Sequence, residues 1–204
     1  MPIDTERIEA AVAEILAAIG EDTTRAGLAS TPHRVAEAYA DFFSGLEIDP
    51  QSHLAETVEL GEGELGELVL LRDLEFRSIC EHHLLPFLGT AHIAYVPDRK
   101  VVGLGKLPRV LDTLASRPQL QERLTEELAS ALETGLAPLG VLVVLDAVHG
   151  CVSARGVRQA HSSTVTMASR GTLSDPVQRA GVLALIGASA DRAAATGAAA
   201  GGPA

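Results

Sequence analysis

The chain has two cysteines, Cys80 and Cys151, and each of them has histidines close by in sequence. Cys80 and His83 form a Cys-x-x-His pair with His82 between them, and residues three apart face the same side of a helical or tight turn. His149 and Cys151 form a His-x-Cys pair, and residues two apart face the same side of an extended strand. A fold that brought these two distant segments together would create a site for one metal ion.

The residue types in these two pairs suit a zinc ion. Zinc takes thiolate and imidazole ligands in tetrahedral geometry, and catalytic zinc sites usually have three protein ligands and one water. Cys80, His83 and Cys151 would supply the three ligands. His82 and His149 would then remain free for proton transfer. The spacing alone leaves other interpretations open, because the cysteines could form a disulfide or be small buried apolar residues, and such pairs also occur by chance.

Three separated segments of the chain resemble the GTP cyclohydrolase I family, the zinc enzymes that open folate and pterin synthesis. The segments are residues 78–83, 117–125 and 146–156, and a weaker similarity begins near residues 31–34. The resemblance covers about residues 8–187. Three motifs in the right order are a specific signal, whereas any one of them alone would not be.

The resemblance implies a reaction and a set of groups that carry it out. The imidazole ring of GTP is hydrolysed, C8 leaves as formate, and the fragments are rebuilt as dihydroneopterin triphosphate. By resemblance the zinc ligands are Cys80, His83 and Cys151. The resemblance assigns the proton transfers to His149 and His82, and histidine suits such steps because it titrates near neutral pH.

The resemblance also implies residues that bind the substrate. Glu122 in the sequence Gln-Glu-Arg would accept the adjacent N–H groups of guanine, and the neighbouring Gln121 is also implied to bind the substrate. Gly105 departs from the family pattern, since many relatives have serine there, and Glu37 stands where some have lysine. These departures put the phosphate affinity and the preferred nucleotide in doubt. Cations at matching positions would hold the triphosphate, and these are Lys106, Arg109, Arg155 and, as a fourth, Arg34.

The charge distribution limits the class of partner. The net charge of −11 argues against nucleic acid, because an acidic protein repels a polyanion. No acidic residue occurs between Asp146 and Asp175, whereas Arg155, Arg158 and Arg170 lie in that stretch. A local basic patch suits a small anion better than a polymer, although surface arginines are more often solvated or paired with acidic groups.

The N-terminal sequence predicts a location for the protein. It has neither the basic region nor the apolar core of a signal peptide, and no apolar run in the chain is long enough to span a membrane. These features predict a cytoplasmic protein without a membrane partner, whose thiols stay reduced. Reduced thiols favour the metal interpretation over the disulfide.

The pattern of apolar residues predicts an α+β fold, because strands cluster with helices between them in antiparallel style. Thr31 is the expected N-cap of the second helix, and Asp98, Arg99 and Lys100 are the expected tip of a hairpin. The predicted helices cover residues 5–19, 31–43, 105–116, 119–136 and 176–186. The helix at 119–136 carries a leucine every four residues. The predicted strands cover residues 56–60, 68–71, 74–76, 87–96, 141–145 and 160–169.

The resemblance implies a more specific architecture, the tunnelling fold. In that fold an N-terminal helical pair precedes an antiparallel sheet with helices on one face. Subunit sheets join into a barrel, and two pentameric rings stack as a homodecamer. Residues 1–189 are then expected to form one domain, with the helical pair at 5–45 and the tunnelling-fold core at 67–189. The Ala- and Gly-rich residues 190–204 have no core pattern and are expected to be disordered.

Two other functions remain open at this point. The chain could be a zinc- or nucleotide-binding module without turnover, or a related tunnelling-fold enzyme acting on another pterin or on a deazapurine. His82 and His149 argue against the first, because a structural site closed by four ligands would not need a spare proton donor. Glu122, together with both cysteines, favours the cyclohydrolase over the second.

Overall fold

The computed structural model of the protein describes residues 2–61 and 66–199, with side chains described up to residue 188. The helices are α1 (Thr5–Ala18), α2 (Thr31–Phe42), α3 (Lys106–Ala115), α4 (Gln121–Leu136), α5 (Gly150–Ser153) and α6 (Pro176–Ala199). The strands are β1 (Thr57–Glu59), β2 (Val69–Cys80), β3 (Pro86–Val96), β4 (Lys100–Val102), β5 (Pro118–Gln119), β6 (Gly140–His149) and β7 (Thr164–Gly171). Short 3-10 turns cover Ser44–Glu47, Pro50–Leu54 and Thr172–Ser174.

A five-stranded sheet in the order β5-β2-β3-β6-β7 forms the centre of the structure. Its neighbouring strands pair antiparallel, except that the short β5 runs parallel to β2. Ile79 pairs with Pro86, and Phe87 pairs with His149. The end of β2, the start of β3 and the end of β6 therefore meet at one end of the sheet. The predicted α+β class is confirmed.

The main core lies between one face of the sheet and the helices α3 and α4. The stripe predicted on α4 is buried, because Leu124, Leu128 and Leu132 have no exposed surface. They belong to the same core cluster as Val143 and Leu145 of β6. Burying a leucine side chain contributes about 1.5–3 kcal/mol to folding, so this stripe anchors α4 on the sheet.

The helix α6 differs from the expectation that the helices cover one face of the sheet. Its residue Val182 lies in a second core cluster with Ala94, Leu142 and Val144. Neighbouring residues of a strand point to opposite faces, and Val143 belongs to the main core. The helix α6 therefore packs on the face opposite α3 and α4.

Some local predictions need correction. Ser30, not Thr31, is the N-cap of α2. The segment at Lys100 does not form a hairpin with β3, because β4 pairs with β1 in a separate two-stranded sheet. The helix α4 begins at Gln121 rather than at residue 119, because Pro118 and Gln119 pair with β2 instead.

The C-terminal helix also extends further than composition predicted. Asp175 caps it, since its Oδ1 accepts hydrogen bonds from the N–H groups of Val177 and Gln178. The helix continues to Ala199, whereas a disordered tail was expected from residue 190. Alanine has the highest helix propensity, so an Ala-rich segment can continue an existing helix. Residues 200–204 lie outside the described residues, and the division into one domain stays a prediction.

No helix within residues 2–61 and 66–199 is long and apolar enough to cross a membrane. This finding agrees with the absence of a long apolar run in the sequence.

Candidate metal centre and active site

A tight turn after β2 brings His83 next to Cys80. The N–H groups of His83 and Leu84 donate to the carbonyl oxygen of Cys80 at 3.3 and 2.9 Å. The Cys80 N–H in turn donates to Leu85 O at 2.9 Å, which closes the turn. Cys80 Sγ then lies 3.8 Å from His83 Nδ1. The predicted same-side arrangement of this pair is observed.

The second cysteine reaches the same place from the end of β6. His149 ends the strand, and Cys151 lies in the short helix α5, so the two do not share one face of a strand as the His-x-Cys spacing suggested. Gly150 permits this bend close to β3, because a methyl group there would lie 2.8 Å from Pro86 O. The ligand atoms of Cys80, His83 and Cys151 all lie within 4.8 Å of one another. Both cysteines are free thiols.

The donor set fits a zinc ion. Ligand atoms around tetrahedral zinc are separated by about 3.5–3.8 Å, so the three atoms need to close by about 1 Å at most. Burial raises the pKa of the Cys151 thiol, and the neighbouring Cys80 raises it further because two thiolates repel. Arg155 lowers it more weakly. A bound dication would reverse this repulsion, since it favours the deprotonated form of both thiols.

His149 is held beside this cluster by two contacts. Its ring stacks on Phe87 with the ring centroids 4.7 Å apart and the planes 5° from parallel. Its Nε2 lies 2.7 Å from Gln121 Oε1. Burial lowers the pKa of His149, and the Glu122 carboxylate raises it by a smaller amount. His149 is therefore an oriented histidine whose ring favours the neutral form.

His82 lies in the same turn but is more exposed. Its ring centroid is 6.1 Å from that of His83, and its Nε2 lies 3.9 Å from Glu81 Oε1. Glu81 is itself held by Arg123, whose guanidinium bonds to both carboxylate oxygens and lowers the Glu81 pKa. Sequence reasoning did not assign a role to this ion pair, although Arg123 belongs to the Gln-Glu-Arg motif.

Gln121 and Glu122 point in different directions from the start of α4. Glu122 is exposed and acts on His149 through its charge. Gln121 is 1% exposed, and its side chain is used inside the protein, bonded to His149, Leu145 O and Thr164 O. The side chain of Gln121 would have to break these bonds to contact a substrate, as the resemblance implied.

The comparisons with known proteins agree with this geometry. The sequence profile of GTP cyclohydrolase I matches residues 8–187. The chain belongs to the GTP cyclohydrolase I family. It is 59% identical to GTP cyclohydrolase 1 of Leifsonia xyli over 92% of this chain and 97% of that protein. The corresponding enzyme of Rhodopirellula baltica is 52% identical over 90% and 80%, and that of Clostridioides difficile is 51% identical over 90% and 97%.

The expected triphosphate-binding residues of this GTP cyclohydrolase I family member fall into separate groups. Arg155 follows α5 and acts electrostatically on Cys151, so it lies at the end of the sheet that carries the proposed metal ligands. Lys106 begins α3, and its Nζ lies 2.6 Å from Glu56 Oε2. The hydrogen bond from Lys106, and more weakly the charge of Arg109, lowers the pKa of Glu56. Arg34 is exposed on α2, which packs mainly against α1.

Lys106 lies far from the metal cluster within one chain. The last residue of α3, Ala115, accepts a hydrogen bond at 2.6 Å from Ser78, near Cys80. Lys106 is at the first residue of that helix, about 14 Å away along its axis. The residues of α3 between these two ends include the buried Leu111 and Leu114.

The two departures from the family pattern have simple local geometry. Gly105 has φ −67° and ψ −11°, which any residue can adopt, and an added Cβ would meet nothing within 4 Å. Its glycine is therefore not required by backbone shape. The Glu37 carboxylate lies 3.5 Å from the His33 ring on the same helix.

Replacing one cysteine tests the metal centre. Cys151→Ser removes a thiolate but keeps the size of the side chain, so the purified variant should lose bound zinc. The measurement is metal analysis of wild type and variant after dialysis against a weak chelator. Ser153→Ala, two residues later in α5, is the control and should keep its zinc. A Cys151→Ser protein that retains stoichiometric zinc would show that the ligand set is wrong.

Proposed function

We propose that this chain catalyses the GTP cyclohydrolase I reaction, in which the imidazole ring of GTP is hydrolysed and C8 is released as formate. The product is 7,8-dihydroneopterin triphosphate, a precursor of folates and pterins. The observation that carries the proposal is the Cys80, His83 and Cys151 cluster with the oriented His149 beside it. Membership of the family supports the same conclusion.

The cluster is the proposed zinc site. Two thiolates and one imidazole are ligands that zinc prefers, and three protein ligands are typical of a catalytic rather than a structural site. When bound, zinc lowers the pKa of a water molecule to about 7 and so supplies a nucleophile at neutral pH. The protein contributes the turn and the short helix α5, which hold the ligand atoms within 4.8 Å of one another.

His149 is the proposed proton-transfer group for the purine ring. Its pKa is lowered mainly by burial, so a proton on its ring is released more readily than from an exposed histidine. General acid–base catalysis of this kind contributes about 10²–10⁴-fold to a rate. His82, on the turn that carries His83, is the proposed second proton-transfer group, for opening of the ribose.

The exposed Glu122 is the proposed receptor for guanine. A carboxylate can accept two adjacent N–H groups of the base, and its negative charge also opposes the fall in the His149 pKa. Arg155 is the proposed phosphate contact on the same chain, because it lies close enough to Cys151 to influence the thiol. These two residues would hold the base and the phosphates of a GTP molecule bound at the metal centre.

The remaining cations are proposed to come from a second copy of the chain. Lys106 and Arg109 lie toward the end of α3 that is remote from Ser78, and buried residues of the helix lie between. A site that contains both the metal cluster and these cations therefore requires two chains, and Arg34 is proposed to join it in the same way. This composite site supports an obligate homo-oligomer, and the resemblance implies a decamer.

Formate release from GTP tests the proposed reaction, and His149→Ala tests the proton transfer. Zinc-loaded wild type should release formate and give a fluorescent pterin after oxidation.

His149→Ala should keep its zinc and lose about 10²–10⁴-fold in rate. His53→Ala is a suitable control, because His53 is also partly buried and hydrogen-bonded, to Thr113, but outside the cluster. Loss of zinc from His149→Ala would instead make this histidine a ligand.

Mixing two inactive variants tests the composite site. In the composite site, one chain would supply the metal cluster and another would supply Lys106. Cys151→Ser damages the first contribution, and Lys106→Ala damages the second. Refolding the two together should restore activity, because a site can then receive its intact halves from different chains. Random assembly gives about one quarter of sites with both halves intact. Activity no higher than the sum of the two separate variants would argue that each site is built from one chain.

Removing the partner of Lys106 tests the phosphate contact. Glu56→Gln leaves the shape of the side chain but frees the Lys106 ammonium, so the KM for GTP should fall, with a larger change at low salt. Glu59→Gln removes another exposed carboxylate, three residues later in β1, and is the matched control. Steady-state kinetics at two salt concentrations give the measurement. An equal fall in KM for both variants would indicate a general effect of net charge, and an unchanged KM would remove Lys106 from phosphate binding.

A further inference from the structure

We infer that Gln121 is a positioning residue that keeps His149 in the tautomer protonated at Nε2, so that Nδ1 is the nitrogen that exchanges the proton of the reaction. The inference deepens the proposed function and rests on it for the role of His149. The assignment of the tautomer itself depends only on hydrogen-bond geometry. It begins from the 2.7 Å contact between Gln121 Oε1 and His149 Nε2.

The surroundings of the Gln121 amide decide which of its ends faces His149. Its Nε2 lies 3.2 Å from Leu145 O and 2.7 Å from Thr164 O. Both partners are backbone carbonyls, which only accept hydrogen bonds, so the NH₂ group must lie on that side. A flipped amide would turn its oxygen toward two carbonyl oxygens, neither of which has a proton to donate. Gln121 is only 1% exposed, so water could not relieve this contact. The amide oxygen therefore faces His149.

Two threonine hydroxyls agree with this orientation. Thr125 Oγ1 donates its proton to the backbone oxygen of Gln121 at 2.7 Å. It must then accept the proton of Thr166 Oγ1, which lies 2.7 Å away. The Thr166 oxygen in turn accepts from Gln121 Nε2 at 3.1 Å. Each hydroxyl proton has a partner, and the amide NH₂ remains the donor on this side of Gln121.

The direction of the bond to His149 follows. An amide oxygen has no proton to give, so His149 Nε2 must be the donor. In the neutral ring the lone pair is then on Nδ1. Phe87 is fully buried and lies parallel to the His149 ring. A 180° flip of the His149 ring in this stacked position would move Nε2 away from Gln121, so the hydrogen bond would be lost. The stacking and the hydrogen bond together fix both the orientation and the tautomer.

This arrangement suits a group that gains and loses a proton. The bond from Nε2 to Gln121 is possible in both the neutral and the charged ring, so it need not break when the proton moves at Nδ1. The hydrogen bond and the stacking on Phe87 therefore keep the His149 ring in one position in either protonation state.

The tautomer can be read directly on the wild-type protein. Zinc-loaded protein labelled with ¹⁵N in histidine, without GTP, gives a long-range ¹H–¹⁵N spectrum in which the two neutral tautomers have different patterns. The His149→Ala spectrum identifies the signals of His149. We expect the proton on Nε2 at a pH where the ring is neutral. A proton on Nδ1 would overturn the inference without any variant of Gln121.

A matched pair of variants then tests the role of Gln121. Gln121→Met keeps the length of the side chain but removes the acceptor, so the His149 signals should become a mixture of tautomers. The kcat should fall by about tenfold or more, as for other residues that orient a reacting group, with little change in KM. Rescue should not occur with Gln121→Asn, whose amide is one methylene too short to reach.

Gln119→Met is the control for general loosening of the structure. Gln119 is 2% exposed, and its Nε2 donates to Leu114 O and Glu127 rather than contacting His149. This variant should leave the His149 signals unchanged. An equal change of tautomer in both variants would overturn the positioning role. Because the spectra contain no GTP, a protein that releases no formate would overturn the proposed function while the tautomer is still decided by the spectra.

Discussion

The register between β3 and β6 is the constraint on which the site depends. It sets Phe87 opposite His149, and the pairing of Ile79 with Pro86 brings the end of β2 to the same edge. Sheet side chains alternate between faces, so a slip of one residue would turn His149 away from Phe87 and from Gln121. Gly89 allows β3 and β6 to approach this closely, because a methyl group at that position would lie 2.0 Å from Asp146 O. The stability of the sheet and the geometry of the site therefore share one set of hydrogen bonds.

Sequence reasoning succeeded where the relevant information is local. The Cys-x-x-His spacing predicted the contact between Cys80 and His83, because a single turn determines it. The leucine repeat predicted the buried face of α4 for the same reason. The meeting of Cys80 with Cys151 was only a hypothesis from residue types, since their distance depends on the order and register of β2, β3 and β6.

The predictions that failed concern partners distant in sequence. Nothing near Lys100 indicates that β4 pairs with β1, and nothing near Pro118 indicates that β5 joins β2. The role of Gln121 in substrate binding stays a prediction, but nothing local indicated that its side chain would bond to three acceptors on β6 and β7. The separation of Lys106 from the metal cluster likewise became visible only from the length and direction of α3.

The start of α4 distributes three consecutive residues among three parts of the site. Gln121 reaches His149, and Glu122 remains at the surface. Arg123 holds Glu81, which lies in the turn between Cys80 and His83. Successive residues of an α-helix point about 100° apart, so this division follows from the helix itself. Insertion or deletion of one residue at this point would rotate each side chain onto the wrong target. The motif can therefore vary through substitution but not in length, which limits the routes by which such a site can diverge.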